Sequence, residues 1–393
     1  MNDKNKIELF KEYCSGCGLC HSAENVSCIY CNGFLRPSLE NTNIDFCEKV
    51  CPASGKWLED IDPNKRWGRF INVSLTWSSD EKLRFKASSG GTITAISEYL
   101  IKNKIVDEIL HVGVSKFSQI KTEPTFSDNE EQLRKKTGSR YTASNPLIGL
   151  LQHISVNKKY AVIGKPCDIL TLRKYLNEHN ELNENIVYLI SFFCAGIPSE
   201  NANKKLLQEL GTNEENCKNL IYRGNGWPGF ATATNYNGDK KSMSYNDSWG
   251  TILGRDINRL CRFCMDGIGE FADIACGDAW YLNQDGSPDF NEHSGRNVTF
   301  SRTEKGEWLL NMCIKDGAIV SEPYDLSELA QIQKYQYTRR SQVYARVLGM
   351  RLCARKTPNY SLRTLRKFAG NASKIQIAKN VVGTVKRVFL GKM

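Results

Sequence analysis

Thiols set the chemistry available to this chain. There are fifteen cysteines, an odd number, and most stand at short intervals. The first group is Cys14-x-x-Cys17-x-x-Cys20, reading CSGCGLC, with Cys51-Pro52 further on. Three thiolates at this interval wrap three corners of a cubane iron–sulfur cluster in one tight loop. Gly16 and Gly18 let the backbone approach the sulfides, and a distant Cys followed by Pro closes the fourth corner, as in the bacterial ferredoxin run. Paired C-x-x-C units also suit structural zinc, here through Cys14, Cys17, Cys28 and Cys31. A third cysteine at the next interval is superfluous for zinc and expected for a cubane, which favours the cluster. Cys28, Cys31 and Cys47 receive no role.

The second group is scattered. Cys167 follows the apolar run YAVIG, Cys194 closes IVYLISFFC, and Cys261-Arg-Phe-Cys264 lies in a loop-like stretch. Strand ends on one edge of an open sheet converge on a common crevice. Singly, Cys167 or Cys194 reads as a small buried hydrophobe; taken with the C-x-x-C pair, the four make a second cluster site.

Two further stretches offer contacts for a phosphate and a ring. Ser88-Ser89-Gly90-Gly91-Thr92 precedes a helical pattern with Ile93, Ile96, Leu100 and Ile101, and a helix start presents free N–H groups to an anion. Ser and Thr are also ordinary N-caps there. Lys135-Lys136-Thr137-Gly138-Ser139-Arg140-Tyr141 adds basic and aromatic groups, or is a solvated charge run beside a turn. No G-x-G-x-x-G unit follows a strand, so a Rossmann dinucleotide site is not supported. With five histidines and no pairing among them, no proton donor is assigned.

The elements that position these groups follow from the apolar pattern. At 393 residues and 40% hydrophobic content, the chain accommodates two or three domains. Residues 1–60 carry seven cysteines and little periodicity, as expected of a small domain organised by metal. Beyond residue 85, strand, turn and helix recur: residues 160–164 lead into a helix over 168–176, and residues 185–194 into one near 200–210. This is the signature of an α/β core running to about residue 300. Residues 220–300 read as binding surface. The tail, 330–393, has helical patterns ending near Arg351 and over 374–390.

The net charge of +10 is uneven, because fifteen Lys and Arg and no acid follow Glu328. The main body therefore gives no reason to expect nucleic-acid binding. One face of the last pattern, with Ile375, Ala378, Val382, Val385 and Phe389, suits an anionic bilayer or packs on the protein's own core. The charged start is no secretory signal, and the longest apolar run falls short of the roughly 18 residues of a membrane span. A cytoplasmic protein is expected, peripheral to the inner membrane face if the tail touches lipid.

Together these segments resemble the coenzyme F420 hydrogenase/dehydrogenase beta-subunit family. The matching pieces are SSGGTITAISEYL, KTGSRYTASNP, YAVIGKPCDILTLRKYL, SFFCAGIPS, YRGNGWPGF and CRFCMDGIGEFADIACGDAW, in family order across residues 85–282. CSGCGLC with its later Cys-Pro is similar to the ferredoxin-like extension of many bacterial members. The resemblance implies a mixed α/β core binding FAD with a 4Fe-4S cluster beside it, a small N-terminal ferredoxin-like domain with a second cluster, and a helical basic tail. It carries the inner cluster ligands over onto Cys167, Cys194, Cys261 and Cys264. Flavin contacts carry over onto Ser89, Gly90, Gly91 and Thr92, and onto Gly138, Ser139, Arg140 and Tyr141. Gly277-Asp278 matches a recurring Gly-Asp, whereas Cys276 often has no cysteine counterpart.

The expected function is an FAD-dependent iron–sulfur oxidoreductase. It takes electrons from a ferredoxin-like donor through Cys14, Cys17, Cys20 and Cys51 to the inner cluster and FAD, and reduces a small organic substrate in surface-polysaccharide biosynthesis. The alternative is an F420-dependent redox subunit of a hydrogenase or dehydrogenase complex; a different class is a zinc-stabilised interaction protein.

Overall fold

The chain was analysed as a computed structural model that describes residues 3–38, 43–370 and 372–391. Near the N-terminus, β1 (Cys28–Cys31) and β2 (Phe34–Pro37) form an antiparallel hairpin. Its two turn residues, Asn32 and Gly33, both have positive φ (52° and 76°), the conformation that Asn-Gly accepts most readily in a two-residue hairpin turn. The remaining strands are β3 (Asn72–Ser78), β4 (Glu108–Val114), β5 (Thr122–Ser127), β6 (Tyr160–Gly164), β7 (Ile186–Phe192), β8 (Cys217–Ile221), β9 (Phe230–Asn235), β10 (Lys240–Ser244), β11 (Ile274–Asp278), β12 (Asn297–Ser301) and β13 (Ile319–Pro323).

Eight of them make one sheet in the order β13-β3-β12-β11-β7-β6-β4-β5. The middle four, β11, β7, β6 and β4, are parallel, and the strands on either flank are antiparallel. Parallel strands are covered on both faces, and here the alternation can be followed residue by residue. Ile109, Ala161, Ile190 and Ile274 join Ile96, Tyr99 and Leu100 of the helix Thr92–Lys102 in one apolar cluster. Their neighbours Leu110, Val162, Leu189 and Ala275 join Ile169, Leu172 and Leu176 of the helix Pro166–Glu178 on the opposite face. The fold is therefore mixed α/β, as read from the sequence.

Two expectations change. Residues 220–300 are not all surface: β8, β9 and β10 form a separate antiparallel sheet, but β11 and β12 lie in the interior of the large one. Each is only five residues long, too short to show a period, and β11 contains a glycine. Residues 1–60 are also more regular than their composition suggests, with helices at Asp3–Glu12, Leu19–Glu24 and Ile44–Val50. They do not pack alone. Leu9, Phe10, Tyr13 and Trp57 share one cluster with Val343, Val347 and Met350 of the helix Lys334–Leu352 and with Leu365 and Phe368 of the helix Leu362–Ala369. The Tyr13 hydroxyl donates to the Lys356 carbonyl at 2.6 Å. The last helix, Lys374–Phe389, packs on Lys334–Leu352 through Thr384, whose methyl group faces Gly349. Among the described residues no helix is long and apolar enough to cross a membrane.

Candidate redox site

Two of the inner four cysteines, Cys167 and Cys194, follow the carboxyl ends of the parallel strands β6 and β7, and the other two lie on a short helix and its cap. β6 ends at Gly164, and the next residues open the helix Pro166–Glu178 with Pro166 in its first turn, where a missing N–H costs nothing. Asp168 fixes this turn: its carboxylate accepts from the Lys165 backbone N–H at 2.9 Å and from Lys165 Nζ at 2.7 Å. Lys165 Nζ also donates to Ser144 Oγ at 2.7 Å. Cys167 is thereby held in the first helical turn. After β7, the Cys194 N–H donates to the Gly267 carbonyl at 2.8 Å. Cys261 and Cys264 belong to the short helix Arg259–Phe263 and its cap; the Asn258 side chain accepts the Leu260 N–H at 3.0 Å.

These thiols act on one another. Burial opposes ionisation of each, and charge on Cys194 or Cys261 would oppose it further at Cys167. Cys264 does the same to Cys194. Burial, then Cys194 and Cys264, push Cys261 up to about 12. Burial therefore keeps these four thiols protonated, and charge on one opposes the ionisation of its neighbours. Cys276 lies apart from the four within β11, where its sulfur accepts from Thr299 Oγ1 at 3.4 Å.

The N-terminal cysteines form a second, larger group. Gly18 begins the helix Leu19–Glu24 with φ of 88°, and a Cβ there would lie 2.4 Å from Ile148 Cγ1, so the loop passes tightly beneath residues 147–148. The Cys17 carbonyl accepts from Leu147 N–H at 2.9 Å. Burial raises Cys14 to about 11 and Cys17 to about 12, with Cys20 adding to both. Cys51 lies among Cys47, Cys14 and Cys17, and Cys47 among Cys20, Cys14 and Cys17. Cys28 hydrogen-bonds Cys20, which lowers the Cys28 thiol and raises its partner. Cys28 and Cys47, left without a role on spacing, thus join the expected four. Cys31 is half-buried at the turn end of β1. One side chain links the two groups: Asn258, which caps the helix of Cys261, donates through Nδ2 to the Cys14 carbonyl at 2.9 Å. Among the described residues no three His, Cys, Asp or Glu side chains stand close enough to hold a single metal ion.

A cavity of about 640 Å³ opens over the strand ends, a size suited to a cofactor. Of the expected flavin contacts, Ser89, Gly91, Thr92, Gly138, Ser139, Arg140 and Tyr141 line it. Gly90 sits behind the wall, where a Cβ would meet Thr76 O and Asn297 Oδ1 at 2.8 Å. The two stretches are tied together, because the Ser139 N–H donates to Ser88 Oγ at 2.7 Å. Arg140 is committed elsewhere: its guanidinium donates to the Leu220 carbonyl at 2.9 Å and to the Gln119 carbonyl, and lies 4.8 Å from the Tyr222 ring.

A cation in the cavity's aromatic wall is one that the sequence does not single out. Arg223, 3% exposed, makes a two-pronged pair with Asp278 (2.8 and 3.3 Å) between the rings of Tyr245 and Trp280. Tyr141 and Trp249, with ring centroids 4.9 Å apart, continue the wall. The motifs YRGNGWPGF and CGDAW contain three of these groups, Arg223, Asp278 and Trp280, but spacing alone gives none of them a role. Tail residues also take part: Gln333 Nε2 donates to the Asp278 carbonyl at 2.7 Å, and Tyr335 OH to the Ala195 carbonyl at 3.2 Å. Cys194 belongs both to the inner thiols and to the cavity wall.

The fold is thus an open α/β sheet with a crevice and buried thiols beside the ends of its parallel strands. The models for "Coenzyme F420 hydrogenase/dehydrogenase, beta subunit" match residues 73–152 (N-terminal part) and 157–327 (C-terminal part); the chain belongs to this family. It is 30% identical over 249 residues to the F420-dependent formate dehydrogenase 1 subunit beta of Methanococcus maripaludis, covering 62% of this chain and 59% of that one. It is 25% identical over 299 residues to the coenzyme F420 hydrogenase subunit beta of Methanococcus voltae, covering 72% and 98%. The fold resembles a chain of the F420-reducing [NiFe] hydrogenase complex of Methanosarcina barkeri, with a TM-score of 0.56 at 18% identity over 72% of this chain and 93% of that one. The aligned part spans about six tenths of the formate dehydrogenase subunit.

Proposed function

We propose that the chain is a redox subunit that exchanges electrons between coenzyme F420 and one-electron carriers, using FAD and two 4Fe-4S clusters. The observation that carries this reading is the double position of Cys194, at once a member of the inner thiol group and part of the cavity wall. A flavin bound there would convert between two-electron and one-electron chemistry. The cavity fits such a group: the helix Thr92–Lys102 begins in its wall beside Ser89 and Ser139, and Tyr141, Tyr245, Trp249 and Trp280 supply ring surfaces. Cys167, Cys194, Cys261 and Cys264 would hold the inner cluster; Cys14, Cys17, Cys20 and Cys51 would hold the outer one, with Cys28 and Cys47 beside it. Asn258 keeps the two sites in fixed register.

The relatives named above are F420-linked redox subunits, which favours this reading over an oxidoreductase of surface-polysaccharide biosynthesis. Their description as subunits supports partner chains for this protein as well, and a ferredoxin-like donor or acceptor suits the outer site. The tail's last helix leaves Ile375, Val382 and Phe389 70%, 67% and 81% exposed on the side opposite Thr384, among lysines. That arrangement suits contact with an anionic membrane surface. The test is anaerobic oxidation of reduced F420 by the loaded protein with a viologen acceptor. Turnover that depends on bound flavin is expected; a protein holding flavin and iron that leaves reduced F420 untouched would overturn F420 as its partner.

A further inference from the structure

The helix Lys334–Leu352 lies outside the family-matched residues, yet it brings two consecutive arginines into the interior. Arg339 is 3% exposed and Arg340 4%. A buried guanidinium requires a compensating negative charge. Arg340 has one, in an ion pair with Glu270. Arg339 has none: among the described residues no carboxylate lies within ion-pair distance of it. Its terminal nitrogens donate to the carbonyls of Cys194 (2.6 Å) and Cys261 (3.1 Å), and its buried Nε has no hydrogen-bond partner. The ionisable groups that face it are Cys264, Tyr335, Cys194 and Cys261, with Tyr360 and the cation Arg346 also near.

The space for this guanidinium is built in. A Cβ on Gly267 would lie 2.3 Å from Gln336 Oε1, 2.4 Å from Arg339 Nη1 and 3.1 Å from the Cys194 carbonyl, so a side chain there would push both tail residues away from the cysteine loop. Room is kept for a cation whose natural counter-charge is a set of thiolates.

We infer that Arg339 is the fixed counter-charge of the Cys167, Cys194, Cys261 and Cys264 site, and that it raises the reduction potential of the cluster held there. The inference rests on the cluster assignment proposed above. Reduction adds one electron, and hence one negative charge, to the cluster without requiring a proton; a buried cation beside the sulfurs favours the reduced state. Arg339 is thus a positioning and tuning residue, supplied by the tail to a site otherwise built from the sheet.

The test compares Arg339→Gln and Arg339→Lys with the unaltered protein, all anaerobically reconstituted, by redox titration followed by electron paramagnetic resonance. Arg339→Gln should shift the inner cluster's reduction equilibrium at least tenfold towards the oxidised form, about 59 mV for a one-electron couple. Arg339→Lys should stay near the unaltered value, and the outer cluster should not move in either. If Arg339→Gln cannot retain inner iron, retention by Arg339→Lys still supports the charge role. An unshifted Arg339→Gln, or equal loss of inner iron from both variants, overturns it. Failure of the underlying cluster assignment looks different: the unaltered protein would then hold only the outer iron, and Cys261→Ser would remove none.

Discussion

The two cysteine groups are built on opposite principles. The inner four comprise Cys167 and Cys194, which follow β6 and β7 of the large sheet, and Cys261 and Cys264 of the five-residue helix Arg259–Phe263 and its cap; their backbones are pinned by Asp168, Gly267, Asn258 and Arg339. The outer group gathers six thiols from two helices of six and seven residues, a four-residue strand and the intervening loops. Helices that short are not stable by themselves. Their order depends on the apolar cluster shared with the tail and, in this account, on the metal they enclose. The inner thiols stand on and beside the buried sheet, whereas the outer ones stand on short elements packed against the tail.

The comparison is broken most severely at Arg223. Replacing it with alanine leaves Asp278 without its cation in a half-buried position, which should cost about 3 kcal/mol, the low end for a broken buried pair because Asp278 keeps some contact with water. A lower denaturant midpoint with loss of bound flavin is expected, and the outer iron should stay. Equal loss of iron from both sites would show that the two are not independently built.

A smaller effect sharpens the same boundary. His111 lines the cavity, and burial lowers its pKa to about 4, with its Nε2 2.8 Å from Ser127 Oγ. The unfolded chain takes up that proton near the ordinary histidine value of about 6.5, so folding favours the neutral ring. Its contribution is complete above about pH 6.5 and is lost as the pH falls towards 4, by an amount on the order of 1–3 kcal/mol. His111→Gln should flatten the fall in stability between these values. An unchanged slope in denaturant titrations across that window would contradict the assignment.

Much of the inner region was legible in the sequence because strand ends concentrate chemistry. β6 coincides with the apolar run YAVIG, and Cys167, Cys194, Cys261 and Cys264, expected together from the sequence, influence one another's ionisation. What escaped was local or compensated. The Asn32-Gly33 turn is a strong hairpin signal, masked by flanking cysteines whose spacing also suits a metal. β11 and β12 are too short for periodicity, and only their pairing with β7 and β3 makes them interior. Arg339 was hidden by its company: a segment rich in Lys and Arg and free of acids reads as surface, since the groups that balance this arginine are cysteines some 75 to 145 residues away in the chain.

The central claim, two thiol-held clusters beside a flavin, is tested most directly by quantifying iron, sulfide, zinc and flavin in protein purified without oxygen, together with Cys261→Ser. The account predicts about eight irons and matching sulfide per chain, one flavin, and a loss of about four irons in Cys261→Ser with the outer cluster retained. Stoichiometric zinc without flavin, or a Cys261→Ser variant that keeps all of its iron, would contradict it.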